Sequence, residues 1–206
     1  LGTAKNLTLR PAFSLGADPL DNPATDPPIF GAPQTIAINP TVVKHRKTIA
    51  GVDSGNETAT GPNYPRTVTL TVDVATGETV DSVTVTDALP SQFQFVAVTN
   101  NAGCTPTATP STTVPGGTLA FGCGSITGVA GVDRTITSTV YIPQSDAAST
   151  PVLNASNPNP QALTNSSDVG GTYQGSSLSP ATASDTVAAK AVALVKVGAI
   201  SADTTP

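Results

Sequence analysis

The chain of 206 residues is 38% hydrophobic, 11% charged and 4% aromatic, with no Met, no Trp, one His, 18 Gly and 19 Pro. Its apolar content is almost all Val, Ala, Leu and Ile, and abundant Thr with frequent turn residues favours many short strands over long helices. A net charge of −5 with nine Lys plus Arg, scattered in ones and twos, offers no basic surface to neutralise phosphates and excludes nucleic acid as a partner.

In chain order, residues 1–35 carry Pro11, Pro19, Pro23, Pro27, Pro28 and Pro33 with Asp18, Asp21 and Asp26, which predicts an extended linker around one short strand, Asn6 to Arg10. From about Thr35 the pattern alternates with period two. Ile36 and Ile38 open it, followed by strands at Val42–Ile49 and Thr67–Val74, where Val68, Leu70, Val72 and Val74 share one face and Thr67, Thr69, Thr71 and Asp73 the other. Further strands are expected at Val80–Asp87, Phe93–Thr99, Thr118–Cys123, Thr135–Ile142, Ala162–Val169 and Val187–Val197. Strands at this spacing predict an all-β, antiparallel sandwich over residues 36–185, large enough to bury roughly 70% of the surface its unfolded chain would expose.

The last segment, 186–206, reads as a strand and linker opening a further repeat. Ala189-Lys190 align with Ala4-Lys5, Leu194 with Leu9, and Ala202-Asp203 with Ala17-Asp18, which implies a unit of about 185 residues cut from a tandem array. The longest apolar stretch, Ala188 to Ile200, is interrupted by Lys190 and Lys196 and falls short of a membrane-spanning helix. The chain opens at Leu1 without Met or a signal-like leader, the expectation for a mature product or an internal piece.

Cys104 and Cys123 lie on either side of a hairpin-like excursion, with Cys123 in phase with Leu119 and Phe121. The spacing suits a disulfide, which would contribute roughly 3 kcal/mol through loop closure and point to an oxidising, extracellular compartment; the alternative is two buried free thiols. Two sulfurs with the distant His45 do not complete a metal shell, so no metal or other cofactor is expected. His45, among Lys44, Arg46 and Lys47, reads as a surface residue. Asp18, Asp21 and Asp26, and Asp53 with Glu57, lack the spacing of a calcium loop. Asn6, Asn56, Asn154 and Asn165 each begin an N-x-Ser/Thr sequon, which arises easily in a chain rich in Ser and Thr.

The run Asp81-Ser-Val-Thr-Val-Thr-Asp87-Ala-Leu89-Pro90, followed by Phe93-Gln-Phe95-Val-Ala-Val, Cys104, Cys123 and Leu163-Thr164-Asn165, resembles the conserved-repeat Ig-like domains of bacterial and archaeal surface proteins. It is also similar to the isopeptide-forming domains of Gram-positive fimbrial shafts and adhesin stalks. The resemblance covers about residues 36–185 and implies an extracellular module of the cell surface, strung in tandem into a stalk or filament. It carries an acid onto Asp87 and an amide onto Asn165. The matching lysine is Lys44 or Lys47, and Asp73 competes with Asp87. Counting phase from Val42 turns Lys44 inward, while Asp87 goes with Val83 and Val85, and Asn165 with Leu163 and Val169. Burial would favour a neutral amine and a protonated carboxyl, and attack on the Asn amide with loss of ammonia would leave a Lys–Asn isopeptide bond. Alternatively the lysines are edge-strand charges, Asp87 caps a turn and Asn165 is solvated.

The function expected is that of a load-bearing structural module whose partners are neighbouring copies, joined by addition of the terminal strands. The alternative is an adhesin binding host protein or glycan through loops such as Asn100–Gly117 or Asn154–Gln161, although the absence of Trp leaves few flat rings for stacking on sugars. No nucleophile elbow, metal motif, phosphate loop or close carboxylate pair appears, so an enzyme acting on an external substrate is not expected.

Overall fold

A computed structural model describes residues 5–13, 29–38, 41–51, 60–154, 156 and 160–189. Every strand pairing among them is antiparallel, apart from one isolated bridge between Thr76 and Gly128, and they contain no helix. The chain divides into two compact units, Leu1–Val42 and Val43–Pro206.

In the first unit, β1 (Lys5–Leu9) and β2 (Ala12–Phe13) pair with β4 (Gln34–Ile38) and β3 (Ile29–Phe30) respectively, as two short ribbons. Gly31 N–H donates to the Pro11 carbonyl at 2.9 Å, and the Arg10 guanidinium lies 5.0 Å from the centre of the Phe30 ring. Ile36 and Ile38 belong to β4, paired with Leu7 and Lys5, so the unit boundary falls after Val42 and not at residue 35. Pairing of β1 with β4 gives structure to a segment whose composition alone reads as a connector.

The second unit is a two-layer sandwich. One sheet has the order β5 (Val43–Gly51), β6 (Arg66–Val74), β11 (Arg134–Tyr141), β8 (Gln94–Asn100). The other runs β9 (Thr105–Ala108), β10 (Gly117–Thr127), β7 (Thr79–Leu89), β12 (Gln161–Tyr173), with β13 (Ser176–Ser177) and β14 (Ala181–Ala189) both pairing with β12. Val68, Leu70, Val72, Val74, Ile136 and Val140 form the buried face of the first sheet. Val80, Val83, Val85, Leu119, Phe121, Ile126 and Val169 form that of the second.

The solvent side of the first sheet explains the Thr content. Thr67, Thr69 and Thr71 lie opposite Thr139, Thr137 and Thr135, and Thr48 lies opposite Thr69. β-Branched side chains pack well on a pleated surface, and each such cross-strand pair contributes a few tenths of a kcal/mol or more. This face can therefore be built with little charge.

Two irregularities interrupt the alternation. Gly122 and Gly124 pair with the adjacent residues Thr84 and Val83, leaving Cys123 as the extra residue of a bulge; beyond it Gly124 and Ile126 pair with Val83 and Val80, with Ser82 at a φ of 50°. A bulge re-aims side chains. Cys123 is accordingly half-buried instead of continuing the inward phase of Leu119 and Phe121. At the turn joining β6 to β7, Gly128 N–H donates to the Glu78 carbonyl at 2.8 Å and its carbonyl accepts from Gly77 N–H at 2.9 Å. A Cβ at position 128 would run into the Val74 and Ala75 carbonyls, so glycine is required by close backbone approach.

β14 begins earlier than the expected Val187–Val197 strand and completes the sandwich's own sheet. The rest of that expected strand, and the aligned residues Lys190–Asp203, lie outside the described residues, as do the linker acids Asp18, Asp21 and Asp26 and the pair Asp53 and Glu57. Among the described residues, no helix is long and apolar enough to cross a membrane.

Candidate functional site

β5 is the edge strand of its sheet, and its register against β6 decides which of its cations enters the core. Val43, His45, Lys47 and Ile49 lie opposite Val74, Val72, Leu70 and Val68, the inward set of β6. Side chains alternate along a strand, so Lys47 points inward and Lys44, opposite Asp73, is exposed. Phase counted from Val42 selects Lys44; the correction arises because Val42 precedes the strand, and Val43 is the first residue held by the ladder. Asp73 lies on the outward face with Lys44 and takes no part in the cluster.

Across the core, Asp87 comes from the C-terminal part of β7 and Asn165 from β12. β7 and β12 are neighbours. Asp87 follows Val83 and Val85 on the buried face, Asn165 lies between Leu163 and Val169 on theirs, and both are almost completely inaccessible. Lys47 Nζ lies 2.6 Å from Asp87 Oδ1, with both side chains fully shielded from solvent. Lys47, Asp87 and Asn165 thus meet between the sheets.

The cluster is self-contained. Lys47 Nζ and the Asp87 carboxyl rest on their mutual 2.6 Å contact, and neither they nor the Asn165 amide has a hydrogen-bond partner outside the cluster among the described residues. Buried polar groups are nearly always hydrogen-bonded, and leaving one unpaired costs about 1–3 kcal/mol, more for a charge. Burial lowers the pKa of Lys47 and raises that of Asp87. The Asp87 charge, with Asp185 further off, opposes the shift at Lys47, and Lys47 and Asn165 oppose that at Asp87, yet desolvation prevails at both. Both shifts favour an uncharged amine beside an uncharged acid.

Two further ties lie on either side of Lys47 along β5. His45 is half-buried, against the reading of it as a surface residue. Its Nδ1–H donates to the Thr71 carbonyl at 2.9 Å, and its Nε2, 2.7 Å from Ser167 Oγ, accepts from that hydroxyl. Burial lowers the pKa of the imidazole and favours this neutral form. On the other side, Ile49 N–H donates to Asp185 Oδ2 at 2.7 Å, while Asp185 Oδ1 accepts from Thr186 N–H at 2.8 Å. Ser167 pairs in register with Asp87, and Asp185 with Asn165. Sequence reading missed all three. The Asn165-Ser166-Ser167 sequon contained the signal for Ser167, but what mattered was the phase shared by Asn165 and Ser167.

Cys104 and Cys123 are joined in a disulfide that connects the segment before β9 to the bulge of β10. The expected loop Asn100–Gly117 therefore contains a strand. An open depression of about 370 Å³ near its start is lined by Val98, Thr99, Asn100, Asn101 and Pro106; none of these is titratable or aromatic, and they offer no acid–base chemistry. Among the described residues no three His, Cys, Asp or Glu side chains are grouped to hold a metal ion.

No family model and no curated protein matches the chain. Among solved structures it is similar to the full-length major pilin SpaD of Corynebacterium diphtheriae, at 16% identity and a TM-score of 0.45, over 77% of this chain and 42% of that one. It is similar to a cohesin module from a family 33 glycoside hydrolase of Clostridium perfringens, at 11% identity and a TM-score of 0.43, over 73% and 99% of the two chains. It is also similar to ACE19, the collagen-binding subdomain of the Enterococcus faecalis surface protein ACE, at 11% identity and a TM-score of 0.37, over 71% and 97%. The chain thus spans less than half the length of the pilin. With identities this low and TM-scores below one half, no residue of this chain takes a role from them.

Proposed function

We propose that this chain is a load-bearing module of an extracellular, cell-surface fibre or stalk, and that its sandwich is closed by an isopeptide bond between Lys47 and Asn165. The observation that carries this reading is the burial of Lys47, Asp87 and Asn165 together, with Lys47 Nζ 2.6 Å from Asp87 Oδ1 and, among the described residues, no hydrogen-bond partner from outside the cluster. A buried amine and side-chain amide with so few partners are costly, whereas bond formation converts the two groups into one secondary amide.

The chemistry balances within the chain. The neutral Lys47 amine attacks Asn165 Cγ, and the protonated Asp87 carboxyl donates to Asn165 Oδ1 as negative charge develops there. Asp87 then accepts the proton from the former amine and delivers one to Nδ2; the C–N bond breaks, ammonia leaves, and the Oδ1 proton returns to Asp87 as the carbonyl re-forms. The step needs no oxidant, metal or external substrate. It occurs once per chain and regenerates Asp87.

The bond would join the edge strand β5 of one sheet to β12 of the other, so a pull that separates the sheets meets a covalent link in addition to packing. The disulfide secures the opposite side of the second sheet and suits an oxidising compartment. Neighbouring copies are the partners this role implies. Intact-mass measurement tests the reading: the full chain should lose about 17 Da beyond the disulfide, and digestion should yield a peptide linking Lys47 to Asn165. Asp87→Ala should retain the unreacted mass; a wild-type chain at full mass overturns the proposal.

A further inference from the structure

Three alternate residues of β5 each tie to the opposite sheet, His45 and Lys47 through their side chains and Ile49 through its backbone N–H. Lys47 is the middle one, between the His45–Ser167 hydrogen bond at 2.7 Å and the Ile49–Asp185 hydrogen bond at 2.7 Å. Among the described residues β5 has a hydrogen-bonded ladder partner only on its β6 side; on its other side β14 lies alongside it without a ladder, so side-chain ties must fix its position over the second sheet. At that edge the Asp185 carboxylate takes the Ile49 N–H, while its other oxygen is held by the N–H of Thr186.

Asp185 and Ser167 also occupy informative places in the second sheet. Asp185 lies directly opposite Asn165 in the β12–β14 ladder, and Ser167 directly opposite Asp87 in the β12–β7 ladder. The strand carrying the nucleophile is thus held by the ladder neighbour of each of the two groups it must meet. We propose that Asp185, together with the His45–Ser167 pair, is a positioning device that holds β5 in register so that the Lys47 amine reaches Asn165 before the bond exists. Asp185 holds the backbone of Ile49 and hydrogen-bonds no reacting atom, although its charge, felt at the Lys47 amine, favours the protonated form. This inference rests on the isopeptide reading and assigns the residues that set its rate.

Positioning of a nucleophile is worth orders of magnitude in rate, and a displacement of about 1 Å can cost 100-fold. Synthesis of the full chain in a cell-free system, sampled over time by intact-mass spectrometry, gives the rate at which the 17 Da deficit appears. Asp185→Ala should slow it about tenfold or more, and Ser167→Ala should slow it by a smaller factor. Asp185→Asn keeps an acceptor for Ile49 N–H and should recover the rate to within about threefold of wild type. The Asn165→Ala background, in which no bond can form, separates positioning from folding: adding Asp185→Ala there should leave the melting temperature within a few degrees.

A wild-type chain that never loses ammonia removes the isopeptide reading and this inference with it. A wild-type chain that reacts while Asp185→Ala reacts equally fast overturns the positioning role alone. So does an Asn variant as slow as the Ala variant, or a collapse of the melting temperature in the Asn165→Ala background.

Discussion

The two sides of the sandwich are closed in different ways. At the β9–β10 side, Cys104 and Cys123 are 19 positions apart, and their bond fastens one short excursion to a strand of the same sheet. At the β5 side, residues of both sheets meet around Lys47, from parts of the chain separated by roughly 120 residues. In the chain-entropy picture a cross-link of the first span contributes about 3 kcal/mol and one of the second about 5 kcal/mol. The larger difference would be mechanical, because the bond proposed at Lys47 would connect strands in opposite layers and the disulfide does not. Local closure can be read from two letters at a suitable spacing; closure across layers depends on three strand phases being right together.

The largest expected effect therefore comes from breaking the Lys47 side. Lys47→Ala prevents the proposed bond and leaves Asp87 and Asn165 buried without their partner. Losing one member of a buried pair costs about 3–5 kcal/mol, and the lost loop closure adds to it. Urea unfolding of this variant should show a loss of at least about 5 kcal/mol relative to wild type. A loss below about 1 kcal/mol would mean that the cluster neither bonds nor supports the fold. The Cys104→Ser/Cys123→Ser double variant should lose a smaller amount, about 3 kcal/mol, with the 17 Da deficit intact. If the cysteine variant proved the more damaged of the two, the ranking of the two sides would be reversed.

Much of the fold was legible because the apolar residues of the sandwich alternate cleanly. β6, with Val68, Leu70, Val72 and Val74 inward, and β11 follow from period two within a residue or so. Asp87 and Asn165 were also legible, since each lies in the interior of a strand whose flanking valines and leucine set the phase. Lys47 was not, because β5 has a polar middle: Lys44, His45, Arg46 and Lys47 give no apolar anchor, and only pairing with β6 shows that Val43 and not Val42 fixes the alternation. The same limit hid His45, whose partners come from Thr71 and Ser167. The bulge at Cys123 was illegible for a related reason: it is defined by the register against the strand opposite, where Thr84 and Val83 are adjacent while Gly122 and Gly124 are not. In the first unit, proline density suggested a connector because the β1–β4 pairing joins residues on either side of that density.

The smallest effect expected belongs to His45 and sharpens the contrast further, since the disulfide side has no counterpart in pH. The folded state holds the imidazole neutral, with Nδ1–H given to the Thr71 carbonyl and Nε2 receiving the Ser167 hydroxyl. Its pKa lies below the ordinary 6.5 chiefly through burial, against the opposing pull of the Thr71 carbonyl and Asp168. The unfolded chain therefore takes up a proton first as pH falls, and linkage gives the sign: stability is fully present above 6.5 and declines as pH drops toward the folded value. Melting temperatures of wild type and His45→Gln, compared between pH 7.5 and 5 at constant ionic strength, isolate this contribution from that of the carboxylates common to both. The wild type should lose more stability on acidification than the variant does. Parallel curves would place the imidazole outside the set of groups that hold β5 to the opposite sheet.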